Sequence, residues 1–197
     1  PKPLIPSAAA SEDQESPPVR SPRSRSGQQF FKRGRLVHRL LQTLPDLPVD
    51  RRSDACLRYL GQEAHGLTEA QQKELHDEVL NILENPSFHA LFGLGSRAEV
   101  PIVGLVKGDK PQLVSGQIDR LVVTGTEVFI VDYKTLRPSP MDPADVPETY
   151  LKQMASYKYV LSGIYPNHRI RCALLWTDGP RIMELDSGLL DLISPTA

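Results

Sequence analysis

Two acidic residues and a lysine carry the chemistry that this sequence must explain. Asp119 lies in Leu113–Thr124 and Asp132 in Glu127–Thr135, two Val- and Ile-rich segments that read as strands joined at Gly125-Thr126. A two-residue loop with Gly first suits a type II′ turn, which pairs Thr124 with Glu127. Counting inward from that pair sets Asp119 directly opposite Asp132. Opposed Cβ atoms lie about 4.5–5.5 Å apart, and like charges there destabilise a sheet. Side chains alternate along a strand, so Lys134 shares the face of Asp132, with Leu121, Val123, Val128 and Ile130 as apolar neighbours. A divalent cation gives the facing carboxylates a reason, since hard oxygen donors at that separation suit Mg²⁺. Lys134 beside such an ion could orient or deprotonate an attacking water, or steady a developing negative charge. The other reading is a solvated hairpin with an ordinary Asp–Lys ion pair. The Val128-Phe129-Ile130-Val131 run ahead of Asp132 favours a semi-buried site.

The surrounding elements follow from periodicity. Phe30, Phe31, Leu36, Val37, Leu40, Leu41 and Leu44 recur at helical spacing up to Pro45. Arg52–Leu60, closed by Gly61, predicts a second helix. A third carries Leu75, Val79, Ile82 and Leu83 behind a capping box at Thr68 and Gln71, and stops at Asn85-Pro86. Glu99–Val106 predicts the first strand, with Pro101 arguing for an edge or a bulge, and Gly108-Asp109-Lys110-Pro111 is turn chemistry. A Pro-rich loop over Arg137–Pro147 leads to an amphipathic helix with Tyr150, Leu151, Met154, Tyr157, Val160 and Leu161. Strands Arg169–Thr177 and Arg181–Leu185 close the chain. The order predicts an α+β fold, a mixed central sheet flanked by helices with a helical N-terminal segment.

Composition bounds the rest. The chain has 197 residues and a formal net charge of -1, which excludes an all-round basic surface. Residues 1–26, rich in Pro, Ser and Ala, read as a flexible linker, and 27–197 as one domain. Two cysteines, Cys56 and Cys172, cannot build a four-cysteine zinc site or a self-contained iron–sulfur cluster. No apolar run reaches the ~18 residues of a membrane span. Pro1 in place of a start Met, and no signal-peptide pattern, read as a piece of a larger cytoplasmic protein.

Three stretches together carry a family resemblance: Gly116-Gln117-Ile118-Asp119-Arg120, Ile130-Val131-Asp132-Tyr133-Lys134-Thr135 and Gln153-Met154-Ala155-Ser156-Tyr157. The sequence resembles the RecB-like branch of the PD-(D/E)xK nucleases, restriction-endonuclease-like in fold. It is most similar to the C-terminal nuclease domain of AddA-type helicase–nuclease subunits of bacterial double-strand break repair and recombination. The likeness covers roughly Phe30 to Leu185. It implies a metal-dependent DNA exonuclease in the bacterial cytoplasm, acting on single strands fed by a helicase domain of the same parent chain, with an AddB-type partner subunit. It implies Mg²⁺, with Mn²⁺ as a substitute, and no iron–sulfur cluster. His38, within Gly34-Arg35-Leu36-Val37-His38-Arg39-Leu40-Leu41, matches the metal-binding histidine of the family. Asp119 and Asp132 match the acidic ligands, the Tyr133 carbonyl completes the ligand set, and Lys134 is the catalytic lysine. Gln153 and Tyr157, four apart on one helical face, match the motif after the core, expected to touch the lysine, the phosphate or the DNA. Glu99 stands where many members carry a further acid. The departure is Ile118, which replaces the Pro of the superfamily label.

Each residue also has a plainer reading. His38 alone reads as a structural histidine, and Tyr157 reads equally as core. Tyr150, Trp176, Cys56 and Cys172 read as core, and His65, His76, His89 and His168 as surface. Arg20, Arg23, Arg25, Lys32, Arg33, Arg35 and Arg39, with no acid among them, form either a solvated face or a grip on the DNA backbone. Arg33, Arg35 and Arg39 are the candidate phosphate contacts. The rival to an enzyme is a nuclease-fold module that binds DNA or a partner without cutting; retention of both acids and the lysine argues against it.

Overall fold

The structure, a computed structural model, describes residues 25–106 and 112–193. Residues 1–24 of the expected linker and the turn at Gly108-Asp109-Lys110-Pro111 lie outside the described residues. Among the described residues three helices come first: α1 (Arg25–Thr43), α2 (Val49–Leu60) and α3 (Glu69–Leu83). α1 stops where Pro45 supplies no N–H, and the chain tightens into a 3-10 turn over Leu44–Asp46. α2 starts at Val49, ahead of the expected Arg52, directly after Pro48. The capping box of α3 is present: the Gln71 N–H donates to Thr68 Oγ1 at 3.3 Å and the Thr68 N–H to Gln71 Oε1 at 2.9 Å.

The sheet holds β1 (Ser96–Val106), β2 (Gln112–Val123), β3 (Glu127–Lys134), β4 (Arg169–Trp176) and β5 (Arg181–Leu185), side by side in that order. Among the described strands only β3 and β4 run parallel. A parallel pair needs a crossover, and α4 (Glu148–Ile164) provides it. β1 is an edge strand, which is where Pro101, lacking an N–H, is tolerated. The expected mixed sheet flanked by helices, with helices ahead of the strands, is the observed architecture.

The β2–β3 register is the expected one, with Leu121 opposite Ile130 and Val123 opposite Val128. The turn is not type II′, because Gly125 does not take the positive φ which that turn requires. Thr124 sets the register instead: its N–H donates to the Glu127 carbonyl at 2.9 Å and its Oγ1 accepts from the Glu127 N–H at 3.0 Å.

Alternation divides the core in two. Ile102, Val114, Leu121, Val128, Ile130, Leu174 and Trp176 pack toward α4 with Met154 and Tyr157. Val131, Tyr133, Ala173 and Leu175 face the other way, onto Val37, Leu40, Leu41, Leu60, Val79 and Ile82 of the first three helices. Cys56 and Cys172 are buried in different halves, and burial pushes each thiol up to about 12. One short helix was not expected, α5 (Ser187–Leu192), capped where Asp186 Oδ1 accepts from the Leu189 N–H at 2.7 Å. Lys158 of α4 holds it through the Ser187 carbonyl (2.8 Å) and Asp191 (2.6 Å). Asp186-Ser187 ahead of a Leu pair is the capping signal that announced it.

Candidate active site

β2 is open on both sides at Asp119. The β1–β2 ladder skips from Ala98/Arg120 to Val100/Ile118, and the β2–β3 ladder reaches only Arg120/Val131. The Asp119 side chain fills part of the gap, with Oδ2 accepting the Tyr133 N–H at 2.7 Å. Its Oδ1 lies 3.4 Å from His38 Nδ1. Burial alone would raise this carboxyl, but the charge and hydrogen bond of His38, the Tyr133 N–H and Lys134 outweigh it and hold Asp119 below the usual range.

Asp132 follows the last rung of the β2–β3 ladder, close enough to Asp119 for the two carboxylates to interact, and is 3% exposed. Lys134, also 3% exposed, places Nζ 2.9 Å from Asp132 Oδ2 and 3.8 Å from the centre of the Tyr150 ring. Tyr150 is therefore core and also a wall of the lysine site, a role that its place in an apolar stripe did not announce. Gln153 joins the set from α4. Its Oε1 accepts from Lys134 Nζ at 3.1 Å, and its Nε2 donates to Asp132 Oδ1 and to the Tyr157 hydroxyl, each at 3.1 Å. Tyr157 then donates to the Gln117 carbonyl at 2.8 Å. The expected contact of Gln153 with the lysine is direct, and Tyr157 is at once fully buried and polar-bonded.

Burial pushes Asp132 up to about 6; Asp119 adds to the rise and Lys134 opposes it. Glu99 borders the same ground. It sits in the missing rung opposite Asp119 with φ +52, a left-handed conformation that costs a non-glycine residue on the order of 1–3 kcal/mol. Burial, then Asp119, raise its carboxyl, against His38, Arg120 and Arg39.

His38 comes from α1, on the far side of the sheet from α4. Its ring meets Tyr133 edge-on, with centroids 5.6 Å apart. The helix therefore delivers an imidazole to the gap in β2. Arg120, quoted above only as part of a motif, is buried behind it and bonded to Tyr133, Leu41 and Ser96. The signal for it was a lone arginine within an apolar strand.

The basic stretch divides. Arg35 and Arg39 are exposed, and Arg39 touches Gln42 at 2.7 Å. Arg33 is not available to a phosphate: it is paired with buried Glu78 and reaches Glu74 at 3.8 Å, in a cluster that Arg137 completes. Lys32 donates to the Ala64 carbonyl at 3.1 Å. Three of the four histidines expected on the surface are half-buried: His76 bonds Ser53 and Asp77, His65 lies on Tyr59, and His168 meets Tyr165. An imidazole is an amphipathic side chain that can lay its ring against neighbours and keep its polar edge in reach of water. His89 is exposed, and Trp176 is fully buried.

The donor set suits a hard divalent cation. Two buried carboxylates and a nearby glutamate face one lysine and one imidazole; burial first, and Asp119 after it, raise Asp132 and Glu99. Among the described residues no three His, Cys, Asp or Glu side chains are grouped so that they could hold a metal ion. Each oxygen of Asp132 is bonded once, Oδ2 to Lys134 and Oδ1 to Gln153.

The sheet thus carries two neighbouring acids, a buried lysine and a flanking Gln–Tyr pair. The sequence model of the PD-(D/E)XK nuclease superfamily matches residues 15–183, and the chain belongs to that superfamily. Nucleases of this superfamily generally use divalent metal ions. A solved structure described as the crystal structure of SSO0001 shares 16% identity, over 86% of this chain and 83% of its own, with a TM-score of 0.33. No curated protein matches the chain. No helix among the described residues is long and apolar enough to cross a membrane.

Proposed function

We propose that this domain is a metal-dependent exodeoxyribonuclease of the RecB-like branch, of the kind found in AddA-type helicase–nuclease subunits. The observation that carries the reading is the buried chain Asp132–Lys134–Gln153–Tyr157, with the Asp119 carboxylate near Asp132. A structural ion pair needs no glutamine that binds both of its members at once. His38, Asp119, Asp132 and the Tyr133 carbonyl would hold Mg²⁺, or Mn²⁺ in its place. A cation bound there supplies charge for the scissile phosphate and lowers the pKa of a coordinated water.

The protein's own groups do the remainder. Lys134, held by Asp132, faces the attacking water or the developing oxyanion. Gln153 fixes the Nζ position, and Tyr157 fixes Gln153 by tying it to the β2 backbone at Gln117. Arg35 and Arg39 grip the strand through its phosphates, without reading sequence. The substrate is single-stranded DNA delivered by a helicase domain of the same parent chain, in a bacterial cytoplasmic complex with an AddB-type subunit that serves break repair and recombination.

Asp132→Ala tests this reading against the rival of a non-cutting module. End-labelled single strands should be degraded by the wild type with MgCl₂ or MnCl₂ and be left intact by the variant, with unchanged circular dichroism. A wild type that binds but never cuts, or a variant that cuts as well as the wild type, refutes it.

A further inference from the structure

Arg120 follows Asp119 in β2 and is buried on the side of the sheet that α1 covers, 4% exposed. An arginine taken out of water needs partners, and its hydrogen-bond partners here are all neutral. Nε donates to the Tyr133 hydroxyl at 3.0 Å, and Nη2 to the Leu41 carbonyl at 2.6 Å. Nη1 reaches Ser96 Oγ at 3.5 Å, and the guanidinium lies 5.0 Å from the centre of the Phe92 ring.

Two of these contacts lead to the imidazole. Leu41 lies three residues beyond His38, in the last turn of α1, where the carbonyls have no partner within the helix. A cation on such a carbonyl also complements the negative end of the helix dipole. The bond therefore fixes the end of α1 that carries His38 at one distance from β2. Tyr133 is the other route. Its hydroxyl is held by Arg120, its ring bears edge-on against His38, and its N–H binds Asp119.

We propose that Arg120, through the Tyr133 hydroxyl and the Leu41 carbonyl, positions the His38 imidazole against Asp119. It is a positioning residue, not a catalytic one. The proposal rests on the reading of His38 as a metal ligand, and its test separates the two. A pin that served the fold alone would lower stability without acting through His38.

The experiment is a set of double-mutant cycles read by calorimetric titration of Mn²⁺ into the whole chain, with urea unfolding as the control for folding. Arg120→Lys and Tyr133→Phe are each made with His38 intact and with His38→Ala. Tyr133→Phe keeps the ring and its packing, so it answers the question even where Arg120→Lys does not fold. With His38 present, the loss of Mn²⁺ affinity should be about tenfold, the lower end for residues that orient metal ligands. In His38→Ala the same changes should cost nothing further. The His38 ring resonances of the metal-free protein should also shift in Tyr133→Phe. Equal losses in both backgrounds, no loss in either, or unmoved His38 resonances overturn the positioning role alone. Should His38→Ala by itself leave Mn²⁺ affinity unchanged, the ligand assignment falls, and this proposal with it.

Discussion

Raising the pH should weaken the metal-free protein between about pH 4 and pH 6, and Asp132 is the reason. Its carboxyl ordinarily titrates at 3.8 but is pushed up to about 6, by burial first and Asp119 second. For an acid the sign is fixed: when the folded state holds the proton more tightly, stability is greatest at low pH and falls as the proton is lost. A rise from 3.8 to about 6 corresponds to about 3 kcal/mol, withdrawn across that window and constant above it. Asp119 acts in the opposite sense. Its carboxyl is held below 3.8, so its contribution is present above that value and disappears only at lower pH, outside the window of Asp132. A bound cation offsets the loss, because it takes the place of the proton. At a concentration of 100 Kd it contributes about 2.7 kcal/mol. That gain should be large at pH 7 and much smaller at pH 5, where the proton competes. The assay is urea unfolding at half-unit pH steps, with and without Mn²⁺, for the wild type and Asp132→Asn. The difference between the two proteins isolates this carboxyl from the other titrating groups. A profile that rises between pH 4 and 6 as steeply in the wild type as in Asp132→Asn, or a Mn²⁺ gain equal at pH 5 and pH 7, would refute the reasoning.

Other changes separate the roles assigned above. Lys134→Met should lower the cleavage rate at least ~100-fold, the usual scale of proton-transfer catalysis. Mn²⁺ affinity, by titration, should hold or rise, since Asp132 loses its competing partner. Arg35→Gln and Arg39→Gln should each reduce the dependence of log Kd on log salt for single strands by about 0.7, as expected for one phosphate contact. Arg33→Gln should leave that slope alone and instead lower unfolding stability by about 1–3 kcal/mol, because part of buried Glu78 loses its partner. A Cβ at Gly104 would meet the Val160 methyls at 2.7 and 2.8 Å. Gly104→Ala should therefore cost about 1–3 kcal/mol in urea, and Val160→Ala should recover much of it.

The sequence by itself determined the strands, every α-helix but α5, and the β2–β3 register from Val123 and Val128 as far as Arg120 and Val131. These follow from rules that act over a few residues: a capping side chain, a helical or two-residue period, the length of a loop. The hairpin illustrates the limit, since the register came out as expected while Thr124, not a positive-φ glycine, enforces it. The pairing of Gln153 with Lys134 was foreseen only through likeness to a family. Spacing alone put Gln153 and Tyr157 on one helical face without saying which strand that face would meet. Tertiary structure alone decided where α1 lies. Arg120 and the Leu41 carbonyl are 79 residues apart in the chain, and no local pattern predicts that they meet. It also decided that Arg33, one of a run of similar cations, turns to Glu78 while Arg39 stays in water. Charge pattern gives the sign of a side chain and its place along the helix. Burial and the choice of partner depend on what the rest of the chain packs against it, and that is settled only when distant segments come together.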